Sequence, residues 1–201
     1  MIDHLLPNLE TFKKHKNKNQ LIYIKVIADK ETPVSIFDKV CQEQFDCFLL
    51  ESVTGGENKA RYSIIGLKPD LIWESKGTEC WIAENKDNIN KGHFKKINDT
   101  PLRALKKLIS ASKINIPNEL PPMAAGLFGF VGYDFIRLQE NLPLKNKEVI
   151  KAPDSRLIRP TVLIILDGIK NELIIASPVW KNIHADNKLL EKTYNSALEK
   201  I

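Results

Sequence analysis

The chain has 201 residues, of which 43% are hydrophobic and 27% charged, with a formal net charge of +5. That length allows one well-formed core or a large domain with a fragment of a second, in a composition ordinary for a globular protein. It excludes a membrane span, because the longest apolar run, near Thr161–Leu166, has only strand length.

The first ten residues have no basic stretch followed by a long apolar core, so no secretory signal is expected and the cytoplasm is the expected location. Lysines cluster at Lys13–Lys18, Lys86–Lys96 and Lys145–Lys151, among Asn, Asp and Glu and without interleaved aromatics. That reads as a solvated surface, not a nucleic-acid face. Cys41, Cys47 and Cys80 are odd in number and lack metal spacing, which points to free thiols. His4, His15, His93 and His184 are scattered, so no metal centre is expected.

In chain order, Leu21–Ile27 is rich in β-branched residues and predicts a strand. Pro33–Gln42 places Val34, Ile36, Phe37, Val40 and Cys41 on one helical face, with Thr32 as the cap. Phe45–Ser52 is an apolar strand, a loop with Gly55-Gly56 follows, and Arg61–Leu67 is a strand. Leu71–Ser75 and Glu79–Ala83 form a hairpin around Lys76-Gly77-Thr78. Asn85–Asp99 reads as a polar loop. Asp99-Thr100-Pro101 opens an amphipathic helix through Leu102, Leu105, Leu108 and Ile109, which Pro117–Pro122 breaks.

Ala124–Tyr133 is apolar with three glycines and predicts a strand pressed against another backbone. Asp134–Leu138 begins a helix. Arg159–Leu166 and Glu172–Ser177 form a second hairpin around Asp167-Gly168. His184–Ile201 has helical periodicity to the last residue with no stop signal, as if a further region followed. Strand pairs without regular crossover helices give an α+β class.

The segment with most chemistry is Phe48–Gly66, FLLESVTGGENKARYSIIG. A buried strand delivers Glu51 and Ser52 at its end, a glycine loop turns the chain, and the next strand opens at Arg61. Such a set suits a zwitterion, with Glu51 holding an ammonium and Arg61 gripping a carboxylate. It equally suits a plain ion pair across adjacent strands, with Ser52 capping a turn.

The ordered run LLES, GGE and RYSIIG resembles the N-terminal region of anthranilate synthase component I. Gly126–Asp134 resembles that family's G-x-x-G-x-x-x-Y-D segment, and Pro153-Asp154 and the strand Pro160–Asp167 extend the match. The resemblance covers about Thr32 to Ser177. It implies two packed, mostly antiparallel sheets flanked by helices, with residues 1–201 forming a regulatory and scaffold domain and the chorismate-binding catalytic domain absent.

It also implies part of an allosteric L-tryptophan site at Ser52 and Glu51, with a basic residue from the following strand. Arg61 is the candidate, and Lys59 stays open because the loop varies in length. The resemblance implies no catalytic residue in this chain. It implies Mg2+ in the full-length enzyme and a glutamine amidotransferase subunit (anthranilate synthase component II) as partner. The remainder of the tryptophan pocket is implied in a Pro-x-Met segment elsewhere; Pro121-Pro122-Met123 is out of order for it and reads as a loop. Tyr133 and Asp134 read either as interface residues or as part of a core strand. The same region of aminodeoxychorismate synthase component I, and a non-catalytic amino-acid-binding module, are the alternative functions.

Overall fold

The computed structural model describes residues 5–42, 46–52, 61–140, 142, 151–181 and 186–201. Its elements are α1 (Leu9–Lys14), β1 (Gln20–Ile27), α2 (Pro33–Val40), β2 (Phe48–Leu50), β3 (Tyr62–Lys76), β4 (Glu79–Glu84), α3 (Lys86–Asn90), β5 (Lys95–Lys96), α4 (Pro101–Ala111), β6 (Phe128–Val131), β7 (Ser155–Asp167), β8 (Glu172–Val179) and α5 (Asn187–Leu198). Two 3-10 turns, Pro122–Ala124 and Tyr133–Leu138, flank β6. The strands form one eight-stranded sheet in the order β1-β8-β7-β3-β4-β5, with β2 on β3 and β6 on β7.

The α+β class and its antiparallel pairing match the expectation. The expected pair of sheets is instead a single hydrogen-bonded sheet among the described strands. The reason is length: β3 and β7 have 15 and 13 residues, enough for each to carry several partners. The sequence reading divides β3 around Pro69, into Arg61–Leu67 and Leu71–Ser75, and begins β7 only at Arg159. Yet Lys68 takes φ 49° just before Pro69, and Thr161 Oγ1 donates to its carbonyl at 2.7 Å, so β3 continues through the kink.

The chain divides into two compact units. The first comprises residues 1–68, 113–126 and 160–201. In it, α2 begins at a reciprocal cap: Thr32 Oγ1 accepts from Ser35 N at 3.1 Å and Ser35 Oγ accepts from Thr32 N at 2.9 Å. Ile36 then packs with Ile65, Leu67, Val162, Ile164 and Leu166. A second core gathers Phe12, Ile22, Val179, Leu190, Tyr194 and Ala197. The rings of Phe12 and Tyr194 lie 5.3 Å apart, and the Tyr194 hydroxyl donates to the Pro7 carbonyl at 2.9 Å.

The second unit comprises residues 69–112 and 127–159. The β3–β4 hairpin turns at Gly77, whose φ of 55° suits glycine and whose N–H donates to Asp154 Oδ2 at 2.6 Å. Trp73, Cys80, Leu71 and Leu157 pack with Ala104, Leu105 and Leu108 on one face of α4. Ile109, expected on that face, is 54% exposed. Asn85–Asp99, expected as loop, contains α3 and β5. Arg156 pairs with Glu74, and Arg159 grips Asp70 through Nε at 2.8 Å and Nη2 at 3.0 Å.

The glycine-rich strand is shorter than expected, only β6. Its close approach is real: a Cβ on Gly129 would lie 2.0 Å from the Arg156 carbonyl oxygen. Its reading as a core strand is corrected. Phe130 and Val131 are half exposed and Tyr133 is 84% exposed, because β6 presses its backbone, not its side chains, against β7.

Candidate functional site

In the first unit β2 runs antiparallel to the first part of β3, with Phe48 opposite Gly66, Leu49 opposite Ile65 and Leu50 opposite Ile64. The Phe48 ring lies over Gly66, so close that a Cβ there would sit 2.2 Å from Cε1. This packing sets the register, and the register decides where the strand ends. Glu51 and Ser52 follow immediately and are exposed. The Ser52 N–H donates to the Ser63 hydroxyl at 3.3 Å, which holds the chain beside β3 two residues beyond the ladder. The strand that delivers Glu51 and Ser52, expected to be buried, is only partly so, with Leu50 51% exposed, because β2 is three residues long and pairs with β3 alone among the described strands.

Arg61, at the opening of β3, has a different partner from the one its spacing suggests. Its Nε lies 3.3 and 3.2 Å from the two carboxylate oxygens of Asp167, and its Nη2 donates to Oδ2 at 3.0 Å. The guanidinium stacks 4.7 Å from the centre of the Tyr62 ring. The Arg61 carbonyl also accepts from Gly168 N at 2.8 Å. Arg61 thus ties the start of β3 to the turn between β7 and β8. The hydrogen bonds to Asp167 raise its pKa.

Asp167 is 3% exposed and accepts from the N–H groups of Ile169 at 3.0 Å and Lys170 at 3.2 Å. Burial alone would push its carboxyl up, but the Arg61 fork and these two N–H donors outweigh it and hold the group below the usual carboxylate range. The structure therefore brings Glu51 and Ser52 together at one strand end and commits Arg61 to Asp167. Asp167 reads in the sequence only as a turn residue beside Gly168. Lys59 and Gly55-Gly56 lie outside the described residues.

Tyr133 is exposed, and Asp134 accepts from its neighbour Arg137 Nε at 2.7 Å. Pro122–Ala124 is a 3-10 turn ahead of β6, in keeping with the loop reading of Pro121–Met123. Among the described residues no three His, Cys, Asp or Glu side chains gather to hold a metal ion. No helix among the described residues is long and apolar enough to cross a membrane.

No family model matches the chain. It is 42% identical over 177 residues to a Cereibacter sphaeroides protein named anthranilate synthase component 1, a match covering 87% of this chain and 35% of that protein. Proteins of the same name from Acetivibrio thermocellus and Synechocystis sp. are 35% and 33% identical, each match covering 90% of this chain and 34% of the relative. The chain thus spans about a third of the length of these relatives. The crystal structure of anthranilate synthase component I from Streptococcus pneumoniae superposes with a TM-score of 0.52 at 22% identity, over 87% of this chain and 36% of that one, a likeness of fold.

Proposed function

The chain belongs to the anthranilate synthase component I family, and from that premise we propose that it is the N-terminal, regulatory and scaffold part of an enzyme that makes anthranilate. The observation that carries this reading is the 42% identity to a protein of that name across 87% of the chain. The proposed reaction of the whole protein joins chorismate and ammonia and releases anthranilate and pyruvate, at the entry to L-tryptophan synthesis. Chorismate is a dianion, so the site must neutralise charge developing on the leaving group. Those groups are assigned to the two-thirds of the relatives' length that this chain does not span. The word "component" in the relatives' names supports a multi-subunit enzyme, and the proposed second subunit is a glutamine amidotransferase that supplies the ammonia.

In this reading Glu51 and Ser52 form one wall of an L-tryptophan feedback site. The support is chemical. An exposed carboxylate and hydroxyl side by side at a strand end suit the ammonium of an amino acid, which needs acceptors. Arg61 acts as a positioning residue: its fork is occupied by Asp167, so it anchors the first residues of β3, against which Ser52 is held, and does not itself grip the ligand.

The test uses the full-length enzyme. Ser52→Ala is expected to raise the tryptophan concentration for half inhibition at least about tenfold, with uninhibited anthranilate release unchanged, a tenfold change corresponding to about 1.4 kcal/mol. Inhibition that keeps its midpoint would overturn the assignment of Ser52.

A further inference from the structure

A second polar feature of the first unit lies away from Glu51, Ser52 and Arg61. Strand alternation puts Tyr23, Lys25 and Ile27 of β1 on one face, and the β1–β8 register sets Glu172 opposite Ile27 on that same face. On the side of β1 away from β8, Leu6 makes a two-way bridge with Tyr23, its N–H donating to the Tyr23 carbonyl at 3.0 Å and its carbonyl accepting at 2.8 Å. Across the face sits Glu119, in the turn closed by Leu120 N donating to Pro117 O at 2.9 Å. These residues line a cavity of about 530 Å³. Small-molecule pockets span roughly 300–1,000 Å³.

The polar groups of this cavity are held in place. Tyr23 is 3% exposed, and its hydroxyl donates to Glu119 Oε1 at 2.6 Å. The Lys25 ammonium donates to the Glu119 backbone carbonyl at 2.9 Å. Two independent bonds therefore pin Glu119 over β1. The Tyr23 bond occupies one carboxylate oxygen only, and a carboxylate has room for several donors. Burial, then the bond to Glu119, raises the pKa of Tyr23, so its hydroxyl stays a donor. Glu172 lines the same cavity, partly buried. The apolar wall is exposed, with Leu6 at 48% and Ile27 at 80%. Two carboxylates against one ammonium make the cavity a place for positive charge beside an apolar body.

We propose that the cavity over β1 is a binding site for a small primary ammonium compound with an apolar body, its ammonium held by Glu119 and Glu172 and its body lying on Leu6 and Ile27. Two sources share that chemistry. A simple amine uses the carboxylates alone. An α-amino acid adds its carboxylate, which meets Lys25. The site does not depend on the feedback reading, and it shares no residue with it.

The experiment titrates the 201-residue chain with phenethylamine, L-phenylalanine and 3-phenylpropionate, following amide shifts by NMR. Saturable shifts at Tyr23, Lys25 and Glu119 with one or both ammonium compounds, and none with phenylpropionate, are expected. Glu119→Gln keeps an acceptor for the Tyr23 hydroxyl, and Glu172→Gln keeps the shape of the wall; each is expected to weaken binding about tenfold, and the double variant more. Lys25→Met separates the sources: it weakens L-phenylalanine about tenfold more than phenethylamine if amino acids are the natural class, and changes the two equally if simple amines are. Ser52→Ala leaves all of these titrations unchanged. Absence of saturable shifts with both ammonium compounds overturns the proposal. So does equal binding of phenylpropionate, or undiminished affinity in the double glutamine variant.

Discussion

Two strand pairs rest on glycines and hold together in different ways. In β2–β3 the glycine receives a side chain: the Phe48 ring fills the space over Gly66, and Arg61 clamps the opening of β3 to Asp167. In β6–β7 the glycine receives a backbone: Gly129 lies against the Arg156 carbonyl at a φ of 147°. The first pair ends in exposed polar groups, Glu51 and Ser52, and the second presents exposed apolar ones, Phe130, Val131 and Tyr133. Side chains can move when a neighbour changes, whereas a carbonyl in a ladder cannot. Tolerance to substitution should therefore separate the two pairs.

The largest effect is expected at Gly129. Gly129→Ala puts a Cβ 2.0 Å from a carbonyl oxygen, at a φ that L residues avoid. It should cost about 4 kcal/mol in urea unfolding, and no side-chain truncation nearby should restore it. Recovery by a second-site truncation would break the distinction between the pairs.

Asp167→Asn comes next, at about 2 kcal/mol, because Arg61 is 43% exposed and turns partly to water when its partner is neutralised. This residue also carries a pH signature. Its folded pKa lies below the ordinary value, so its stabilisation is fully present above about pH 4 and is lost as pH falls through the folded value. Unfolding midpoints measured on acidification should fall less in Asp167→Asn than in the parent chain. Parallel curves would show that the Arg61 clamp contributes little to the β2–β3 pair.

Gly66→Ala should cost about 1.5 kcal/mol, since the Phe48 ring has to swing away. Combined with Phe48→Leu, the two changes should cost less than their sum, by about 1 kcal/mol. Simple additivity would mean the ring does not set the register. The smallest effect on stability belongs to Ser52→Ala, within about 0.5 kcal/mol. A clear destabilisation would make Ser52 a structural end of β2 and remove the reason to expect a purely regulatory effect.

The sequence by itself determined whatever is settled within a few residues. The cap at Thr32 and the helix after it, the hairpin at Gly77, the turn at Asp167-Gly168 and the close approach of the glycine-rich strand all follow from local chemistry, and all are found. So is the placement of Glu51 and Ser52 just beyond a strand end, while their exposure does not follow from local chemistry. The ordered motifs also carried the family.

Tertiary structure decided the rest. The six residues of α1 are too few to show a period, and they are helical because Phe12 packs on Tyr194 and Leu190. β3 runs through Pro69 because Thr161, 93 residues away, satisfies the carbonyl at the kink. Arg61 finds Asp167 across 106 residues, although Glu51 is nearer in the chain. The cavity over β1 draws its groups from positions 6, 23, 25, 27, 119 and 172, which only the antiparallel register and one turn bring together. Local propensity selects a strand end or a cap. Which charge meets which is decided by burial, since an acid such as Asp167 enters the core only where a partner is already waiting.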